Sequence, residues 1–442
     1  MPRLGAFPAW ITRCRDAGID AGPAEPGDTL GRAPAFRLLS YGAASLSQPV
    51  TAGETVETEP RRRPGRALRF GLIVTAILLL LFGVPWWTLV WSGNRWPGAV
   101  FAAGTVLFAA AAAAFPFLMV SGHGRHHRDG AARTADTMLG VVWVLFVWSV
   151  LGNVLRAALA VAGVGDPARS RAVTAVVALV AAVLLLWGYG EAMRVSRVRR
   201  VDVRIPRLGA GLDGLRVVLL TDTHYGPIDR ARWSRGVVDV VNSLGPDVVA
   251  HTGDIADGEV AQRREQAAPL GDVRAGLARV YVTGNHEYYR GAQGWVEHMA
   301  SLGWEALHNR HLVVTRDGSS LIVAGVDDRT AAGSGVPGHH MDHEAALAGS
   351  AKDLPVLLLA HQPQQVTGAV AHGVDLQISG HTHGGQMWPF HYLVRLDQPV
   401  LQGLSRHGER TQLYTSRGTG FWGPPFRIFA PSEITLLTLR TA

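Results

Sequence analysis

The chain has 442 residues, of which 48% are apolar and only 17% charged, a balance too apolar for one ordinary soluble domain. Its net charge of +7 comes almost entirely from arginine, since Lys352 is the only lysine, and many arginines flank apolar segments, which favours membrane topology over a nucleic-acid groove. Cys14 is the single cysteine, which excludes an intramolecular disulfide and a cysteine-ligated zinc site. We therefore expect a membrane protein of two or three domains, and no nucleic-acid partner.

Residues 1–66 are rich in Gly, Pro, Ala, Ser and Thr, and they lack sustained periodicity. This composition predicts a tail that is disordered or of low order. An arginine-rich run, Arg61 to Arg66, closes the tail. It is either a twin-arginine export signal or a membrane-flanking segment. The apolar stretch that follows has no clear small-residue cleavage site and is itself followed by further apolar stretches, which favours the second interpretation.

Residues 67–193 contain four apolar segments, at about 71–92, 97–120, 137–163 and 172–190. Each is close to or longer than the roughly 20 residues that a helix needs to cross the hydrocarbon core of a bilayer. We therefore predict four transmembrane helices. Asn153 and Arg156 in the third segment form either a functional intramembrane pair or a contact between helices.

Arginines flank these four segments unevenly. Fourteen lie before the first segment, between the second and third, and after the fourth, whereas the other side has four, namely Arg95, Arg156, Arg169 and Arg171. Because positive residues accumulate on the cytoplasmic side of a membrane, this distribution predicts that both termini and the C-terminal domain lie in the cytoplasm of a bacterial cell.

Residues 200–442 alternate strand-like apolar runs with helix-compatible stretches, a pattern that predicts an α/β domain with partly parallel sheets. The predicted strands are Leu215–Leu220, Asp247–Ala250, Arg279–Val282, Leu321–Ala324, Val356–Ala360, Asp375–Ile378, Gln412–Thr415 and Ile434–Leu439.

Metal-ligand residue types follow the first three of these strands. Asp222 and His224 are two residues apart, so both side chains can face one side of an extended chain. Asp254 could bridge two cations, and the side-chain carbonyl of Asn285 suits a hard cation. The adjacent His286 could instead act on a substrate, since a protonated imidazole can stabilise an oxyanion or protonate a leaving group. Taken singly, a hydrogen-bonded loop pair or a helix cap explains these motifs equally well.

Three further histidines follow later strands. His361 comes directly after a buried run, where a core histidine is an alternative interpretation. His381 and His383 lie in a Gly-His-Thr-His-Gly-Gly segment, and their spacing again lets both face one pocket. Five such motifs in order, each after a strand, point to a pocket at the carboxyl ends of a sheet. This mixture of Asp, Asn and His is typical of two-metal phosphoester hydrolases.

The motifs D-x-H, G-D, G-N-H-[DE], a lone H and G-H-x-H, in this order, resemble those of the calcineurin-like metallophosphoesterase family. The resemblance covers about residues 200–442. Additional segments resemble the bacterial membrane-associated branch related to YkuE and YaeI, and they are Gly253–Gly258, Gly325–Asp328, Gly380–Gln386, Ser416–Gly420 and Pro431–Thr435.

The resemblance implies an αββα sandwich, two β-sheets flanked by helices, with two metal ions of the Mn, Fe or Zn type at the strand ends. It divides the candidate ligands into a set for each ion and a bridge: Asp222, His224 and His383; Asn285, His361 and His381; and Asp254 between them. It also implies hydrolysis of a phosphodiester or phosphomonoester by a hydroxide that bridges the ions, with His286 as a catalytic residue assisting the leaving oxygen.

A catalytic domain close to a membrane is well placed for lipid-linked phosphoesters as well as for small soluble ones, and a UDP-diacylglucosamine-type pyrophosphate is a family precedent. Six residues form either an apolar lip for acyl chains or packing between loops: Trp388, Phe390, Phe421, Trp422, Pro424 and Pro425. Two alternative functions compete with hydrolysis. One is a membrane sensor or scaffold whose domain binds a ligand without turnover, and the other is a transporter that works through the four spans.

Overall fold

The computed structural model describes residues 64–124 and 127–441, so residues 1–63 of the predicted tail lie outside the described part of the chain. Four long helices come first: α1 (Pro64–Trp86), α2 (Gly98–His123), α3 (Asp129–Val161) and α4 (Ala168–Met193). A π-helical turn, Trp87–Trp91, extends the first of them. All four are long and apolar enough to cross a membrane.

Helix α3 begins at Asp129, eight residues before the predicted start of the third span at residue 137. Ion pairs explain these additional polar turns, because Asp129 Oδ2 accepts from Arg263 Nη1 at 2.8 Å and Asp136 Oδ1 lies 2.9 Å from His123 Nε2. Further along α3, Asn153 Nδ2 donates to Thr88 Oγ1 at 2.7 Å. The contact between helices is therefore the interpretation of Asn153 that the structure favours.

Seven shorter helices follow in the described residues: α5 (Ala231–Ser243), α6 (Val260–Ala267), α7 (Asn285–Arg290), α8 (Ala292–Ser301), α9 (His343–Leu347), α10 (Val366–Ala371) and α11 (His391–Val394). The described strands are β1 (Arg197–Arg204), β2 (Leu215–Leu220), β3 (Val248–His251), β4 (Ala278–Tyr281), β5 (Glu305–Ala306), β6 (Arg310–Arg316), β7 (Ser319–Gly325), β8 (Val356–Leu359), β9 (Leu376–Ser379), β10 (Gly403–His407), β11 (Thr411–Thr415) and β12 (Glu433–Arg440).

These strands form two mixed sheets of six. The first has the order β1-β12-β2-β3-β4-β5, in which β2 to β5 run parallel to one another. The second has the order β10-β11-β9-β8-β7-β6, in which β11, β9, β8 and β7 are parallel. The parallel strands bring the carboxyl ends of β2, β3 and β4 together at one edge, and those of β8 and β9 together at another.

The parallel strands inside the two sheets, unlike the edge strand β5, are largely buried on both faces, which is why they read as continuous apolar runs in the sequence. In β2, Val217 and Leu219 face the core between the two sheets, whereas Val218 and Leu220 pack beneath α5 and α8. A third cluster fills the space between the second sheet and helices α9 and α10. This arrangement confirms the predicted αββα sandwich that follows a multi-helix N-terminal region.

Candidate metal centre

The structure brings all eight predicted site residues into one cluster between the two sheets. Asp222, Asp254 and Asn285 follow the carboxyl ends of the adjacent parallel strands β2, β3 and β4. His361 and His381 follow β8 and β9 in the other sheet. The remaining three residues lie in these loops: His224 two positions after Asp222, His383 two after His381, and His286 directly after Asn285.

The first predicted ligand set is compact and buried. His224 Nε2 lies 3.1 Å from His383 Nε2, and Asp222 Oδ1 lies 3.4 Å from His383 Nε2 and 3.9 Å from His224 Nε2. Ligand atoms that each sit about 2.0–2.2 Å from one ion lie roughly 3–4 Å apart. These three residues therefore fit a single cation.

The second set meets the first at Asp254. His361 Nε2 lies 3.1 Å from Asn285 Oδ1 and 3.2 Å from Asp254 Oδ2. The same carboxylate oxygen lies 3.6 Å from His224 Nε2, in the first set. Asp254, His361 and His381 have ligand atoms within 4.8 Å of one another. Asp254 thus stands where a bridging carboxylate would be needed, although the ligand roles themselves stay predictions.

His286 lies beside the two sets and contacts a different partner. Its Nδ1 lies 2.7 Å from Asp257 Oδ1, and the same oxygen lies 3.0 Å from His224 Nδ1. Burial opposes ionisation of His286, but the carboxylates of Asp254 and Asp257 outweigh it and raise the pKa to about 9. Asp257 therefore orients both a candidate ligand and the candidate catalytic histidine.

The candidate ligands differ in their protonation. Burial would lower the pKa of His361, but Asp254 raises it to about 10. Burial and the nearby charge of His361 lower the pKa of His381 to about 3. For Asp254, burial is outweighed by the charges of His361 and His286, which hold its pKa well below the usual range. Without metal, the pocket thus holds a buried carboxylate paired with protonated histidines.

The loops that carry the ligands have unusual backbone conformations. Five candidate ligands have positive φ angles: Asp222 (53°), His224 (43°), Asp254 (54°), His381 (71°) and His383 (51°). Non-glycine residues in this region cost of order 1–3 kcal/mol each, and such conformations cluster at functional sites. Glycines supply the space these carboxylates need, since a Cβ on Gly284 would lie 2.2 Å from Asp254 Oδ1 and one on Gly380 2.1 Å from Asp222 Oδ2.

Two residues next to the cluster, Glu287 and His251, have structural roles. The buried carboxylate of Glu287 accepts from the backbone N–H groups of Asp254, Ile255 and Gly284 at 2.6–2.9 Å, so it holds the Asp254 loop rather than orienting His286. His251 is fully buried, its ring lies 6.1 Å from the ring of Tyr281, and its Nδ1 accepts from the backbone N–H of Gly253 at 3.3 Å.

Sequence reasoning missed two buried arginines next to the site. Arg427 donates to the main-chain oxygens of His383 and Arg417, both at 2.8 Å, and its Nη2 lies 3.0 Å from His383 Nδ1. Arg230 stacks over Trp233 at 3.6 Å and Phe421 at 4.6 Å. Burial lowers the pKa of each to about 9. Neither follows a recognisable motif, so only the chain's path in space reveals them.

Sequence reasoning also missed a further trio that has the donor types of a metal site. His308 Nδ1 lies 2.7 Å from Asp327 Oδ1, and His339 Nδ1 lies 3.7 Å from Asp327 Oδ2. However, His339 has hydrogen-bond partners at both ring nitrogens, Tyr288 Oη and Gln293 Oε1, each at 3.1 Å. Hydrogen bonding accounts for this trio without a metal.

The six residues of the predicted apolar lip contact several different elements. The Trp388 ring centroid lies 6.1 Å from that of Trp148, and the Phe390 centroid lies 5.8 Å from that of Trp143, both on α3. Trp422 lies 5.7 Å from the His286 ring. Phe421 packs on Arg230, and Pro424 approaches α3 at Gly140. Packing therefore accounts for five of the six, with helix α3 as a main partner.

Comparison with known proteins is consistent with this geometry. Residues 215–385 match the calcineurin-like phosphoesterase family. The chain is 41% identical over 276 residues to "Transmembrane protein with metallophosphoesterase domain" of Danio rerio, an alignment that covers 61% of this chain and 63% of the fish protein. It therefore spans less than two thirds of that relative's length.

Two bacterial relatives are covered more fully. "Uncharacterized metallophosphoesterase Cj0846" of Campylobacter jejuni is 34% identical over 268 residues, which cover 59% of this chain and 68% of that protein. "Uncharacterized metallophosphoesterase YkuE" of Bacillus subtilis is 30% identical over 267 residues, 58% of this chain and 90% of that protein.

Proposed function

We propose that this chain, which belongs to the calcineurin-like metallophosphoesterase family, is a metal-dependent phosphoester hydrolase that uses two metal ions to hydrolyse a phosphomonoester or phosphodiester at a membrane. The observation that carries the proposal is the position of Asp254, whose Oδ2 lies 3.6 Å from His224 in one ligand set and 3.2 Å from His361 in the other. Lipid-linked esters are included among the candidate substrates.

The geometry supports the proposed ligand sets, which are Asp222, His224 and His383 for one ion, Asn285, His361 and His381 for the other, and Asp254 between them. When bound, two cations of the Mn, Fe or Zn type would make water more acidic and neutralise charge on the phosphoryl oxygens. The mixed nitrogen and oxygen donors suit any of these metals, so the choice among them is a matter for metal analysis.

His286 is the residue that we assign to the leaving group. Its Nδ1 is held by Asp257, which leaves Nε2 free to point into the pocket, where it lies 3.9 Å from Asp254 Oδ2. Because the two carboxylates raise its pKa to about 9, the ring carries a proton at neutral pH. A protonated Nε2 can donate that proton to the oxygen that departs from phosphorus.

The test is phosphoester hydrolysis by the purified full chain in detergent with Mn²⁺. We expect cleavage of p-nitrophenyl phosphate or bis-p-nitrophenyl phosphate, loss of turnover in Asp254→Asn, and a fall in kcat of about 10²–10⁴-fold in His286→Gln. The matched control is His340→Asn, which changes an exposed histidine and should leave turnover unchanged. Folded, metal-loaded protein that cleaves neither substrate would count against hydrolysis and favour a binding-only domain.

The chain is a membrane protein, as its four apolar helices and its transmembrane relative indicate. We propose further that it is a multi-pass protein of a bacterial membrane with the catalytic domain on the cytoplasmic side. The uneven distribution of arginines supports this orientation.

A further inference from the structure

Two loops next to the metal centre expose large apolar side chains. We call residues 386–396 and 421–430 the rim loops. On the first, Tyr392 is 60% exposed and Leu396 83% exposed, with Leu393 also exposed between them. On the second, Phe429 is 59% exposed. Clustered exposed apolar side chains mark an interaction surface.

The rim loops contact the membrane-crossing helices within their apolar stretches. Phe390 packs on Trp143, and Trp388 packs on Trp148, both of α3, while the Phe429 ring centroid lies 5.6 Å from that of Trp187 on α4. At 1.5 Å per residue, Trp143 and Trp148 lie about 10 Å and 18 Å along α3 from Asp136, the last acidic residue before its apolar run.

On α4 the contacts with the second rim loop lie at a similar distance from the polar end of the helix, which here is its C-terminal end. Its apolar run stops at Glu191, a buried acid paired with Arg197. Leu184, seven residues earlier and so about 10 Å along the helix, shares an apolar cluster with Phe426 and Ile428 of the second rim loop. If α3 and α4 cross a hydrocarbon core of roughly 30 Å, contacts about 10 Å from the polar ends of both helices place the rim loops among the acyl chains, with the Trp388–Trp148 contact near the middle of the core. Lipid is then the partner that covers their exposed apolar side chains.

The rim loops also border the reaction centre. Gln386 lies three residues after the candidate ligand His383, and its Nε2 donates to the main-chain oxygen of Trp422 at 2.7 Å, which ties the two loops together. Trp422 in turn packs on His286, the candidate proton donor. Arg395, exposed between Leu393 and Leu396, adds a positive charge that complements a lipid phosphate. The exposed apolar surface of the rim loops is thus directly next to the candidate metal centre.

We propose that the rim loops insert into the bilayer interface and that the substrate is a lipid-borne phosphoester, which reaches the metal centre from the membrane while its acyl chains stay there. The proposal rests on the proposed hydrolase function and adds the substrate class and its route. In the reaction, water adds its oxygen to phosphorus, the bond from phosphorus to the leaving oxygen breaks, and that oxygen takes up a proton.

Insertion is tested by fluorescence quenching. Because Cys14 is the only cysteine, the full chain with Cys14→Ser and Leu396→Cys can carry one environment-sensitive label. The matched control places the cysteine at Val313, which is 50% exposed on β6. In vesicles of phosphatidylethanolamine and phosphatidylglycerol, nitroxides on the acyl chains should quench the Leu396→Cys label at least threefold more than the Val313→Cys label. Equal quenching overturns insertion, and so does a Leu396→Cys label shielded from both water and lipid, which indicates a protein partner.

Substrate class is tested by comparing lipid and water-soluble esters in the same vesicles. The lipid esters are phosphatidic acid and a nucleotide-linked diacylglycerol, and the soluble ones are bis-p-nitrophenyl phosphate and its monoester. We expect the Leu393→Ser, Leu396→Ser double variant to turn over phosphatidic acid and a nucleotide-linked diacylglycerol at least tenfold more slowly, with soluble esters unchanged. Val313→Ser should match the parent on both. A parent protein that cleaves soluble esters but no lipid ester overturns this inference and leaves the hydrolase function standing, whereas cleavage of neither overturns the hydrolase function itself.

Discussion

At the scale of single residues, the candidate metal centre depends on space as much as on donor atoms. The Asp254 carboxylate accepts from the His286 backbone N–H at 2.8 Å, and its own N–H is held by Glu287. Gly284 lies against both ends of Asp254, since a Cβ there would come within 2.2 Å of Oδ1 and 2.5 Å of the backbone nitrogen. Any side chain at this position must displace the proposed bridging carboxylate.

We therefore predict that Gly284→Ala lowers bound metal and activity together and destabilises the fold by roughly 1–3 kcal/mol, the usual cost of overpacking. Metal content by mass spectrometry and thermal unfolding of the detergent-solubilised protein measure both effects. Gly294→Ala is the control, because a Cβ there meets only Val260 at an ordinary 3.7 Å. Normal metal content in Gly284→Ala would contradict the argument that a side chain at position 284 displaces the Asp254 carboxylate.

Proton release on metal binding is a second prediction at this scale. His361 has a pKa of about 10 in the metal-free pocket, so it is protonated at pH 7.5 and must lose that proton to become a ligand. His381, with a pKa of about 3, is already neutral and releases none. Affinity for Mn²⁺ should therefore rise with pH up to about 10, by at most tenfold per unit for each proton released.

The measurement is titration calorimetry of Mn²⁺ binding at one pH in two buffers that differ in ionisation enthalpy, from which the number of released protons follows. His340→Asn should release as many protons as the parent protein, because that histidine is exposed and belongs to neither proposed ligand set. A binding enthalpy that does not depend on the buffer would show that His361 is neutral before the metal arrives.

At the scale of elements, the sequence predicted buried strands well and edge strands poorly. The eight predicted strands all occur, with ends that differ by at most two residues, because strands buried on both faces are apolar throughout. The missed strands are β1, β5, β6 and β10. All four lie at sheet edges, and β1 for example reads Arg-Val-Arg-Arg-Val-Asp-Val-Arg, so polar side chains conceal the pairing that the fold imposes.

In the candidate site, too, the residues that follow buried strands were predicted, and those whose position depends on distant contacts were not. Its eight residues come directly after buried strands, where sequence order alone places them at neighbouring carboxyl ends. Asp257 lies in the Gly253–Gly258 segment, but only the structure shows that one of its oxygens reaches both His224 and His286. Arg230 and Arg427 come from loops whose path depends on contacts with distant segments, among them the backbone bond from Arg427 to Gly188 on α4, and no local pattern encodes such contacts.

The junction between α3 and the second rim loop carries a prediction at this scale. Gly140 lets Phe426 approach the helix, since a Cβ there would lie 2.4 Å from the Phe426 ring and 3.1 Å from Pro424. Gly140→Ala should therefore destabilise the protein by about 1–3 kcal/mol through overpacking. Gly130→Ala is a matched control on the same helix, where nothing lies within 4 Å and alanine favours the helix. Equal melting temperatures in detergent for the two variants would mean that this junction is not tightly packed.

At the scale of the whole molecule, the arginines that predict the orientation also have structural partners in the catalytic domain. Arg197 pairs with Glu191, Arg199 lies 3.5 Å from Glu433, and Arg207 lies 2.7 Å from Asp375. The arginine count after α4 thus contains residues that the fold itself requires. The orientation consequently needs a test that is independent of charge.

Cysteine accessibility supplies that test, because Cys14→Ser leaves a chain in which each new cysteine is the only one. We predict that Val313→Cys, on β6 of the catalytic domain, reacts with a membrane-impermeant maleimide only after bacterial cells are permeabilised. Val164→Cys, in the exposed turn between α3 and α4, should react in intact cells, since an odd number of crossings separates the two positions. The reverse pattern would place the catalytic domain outside the cytoplasm. Its lipid substrate would then come from the outer leaflet, because the rim loops enter the bilayer from the side of the metal centre.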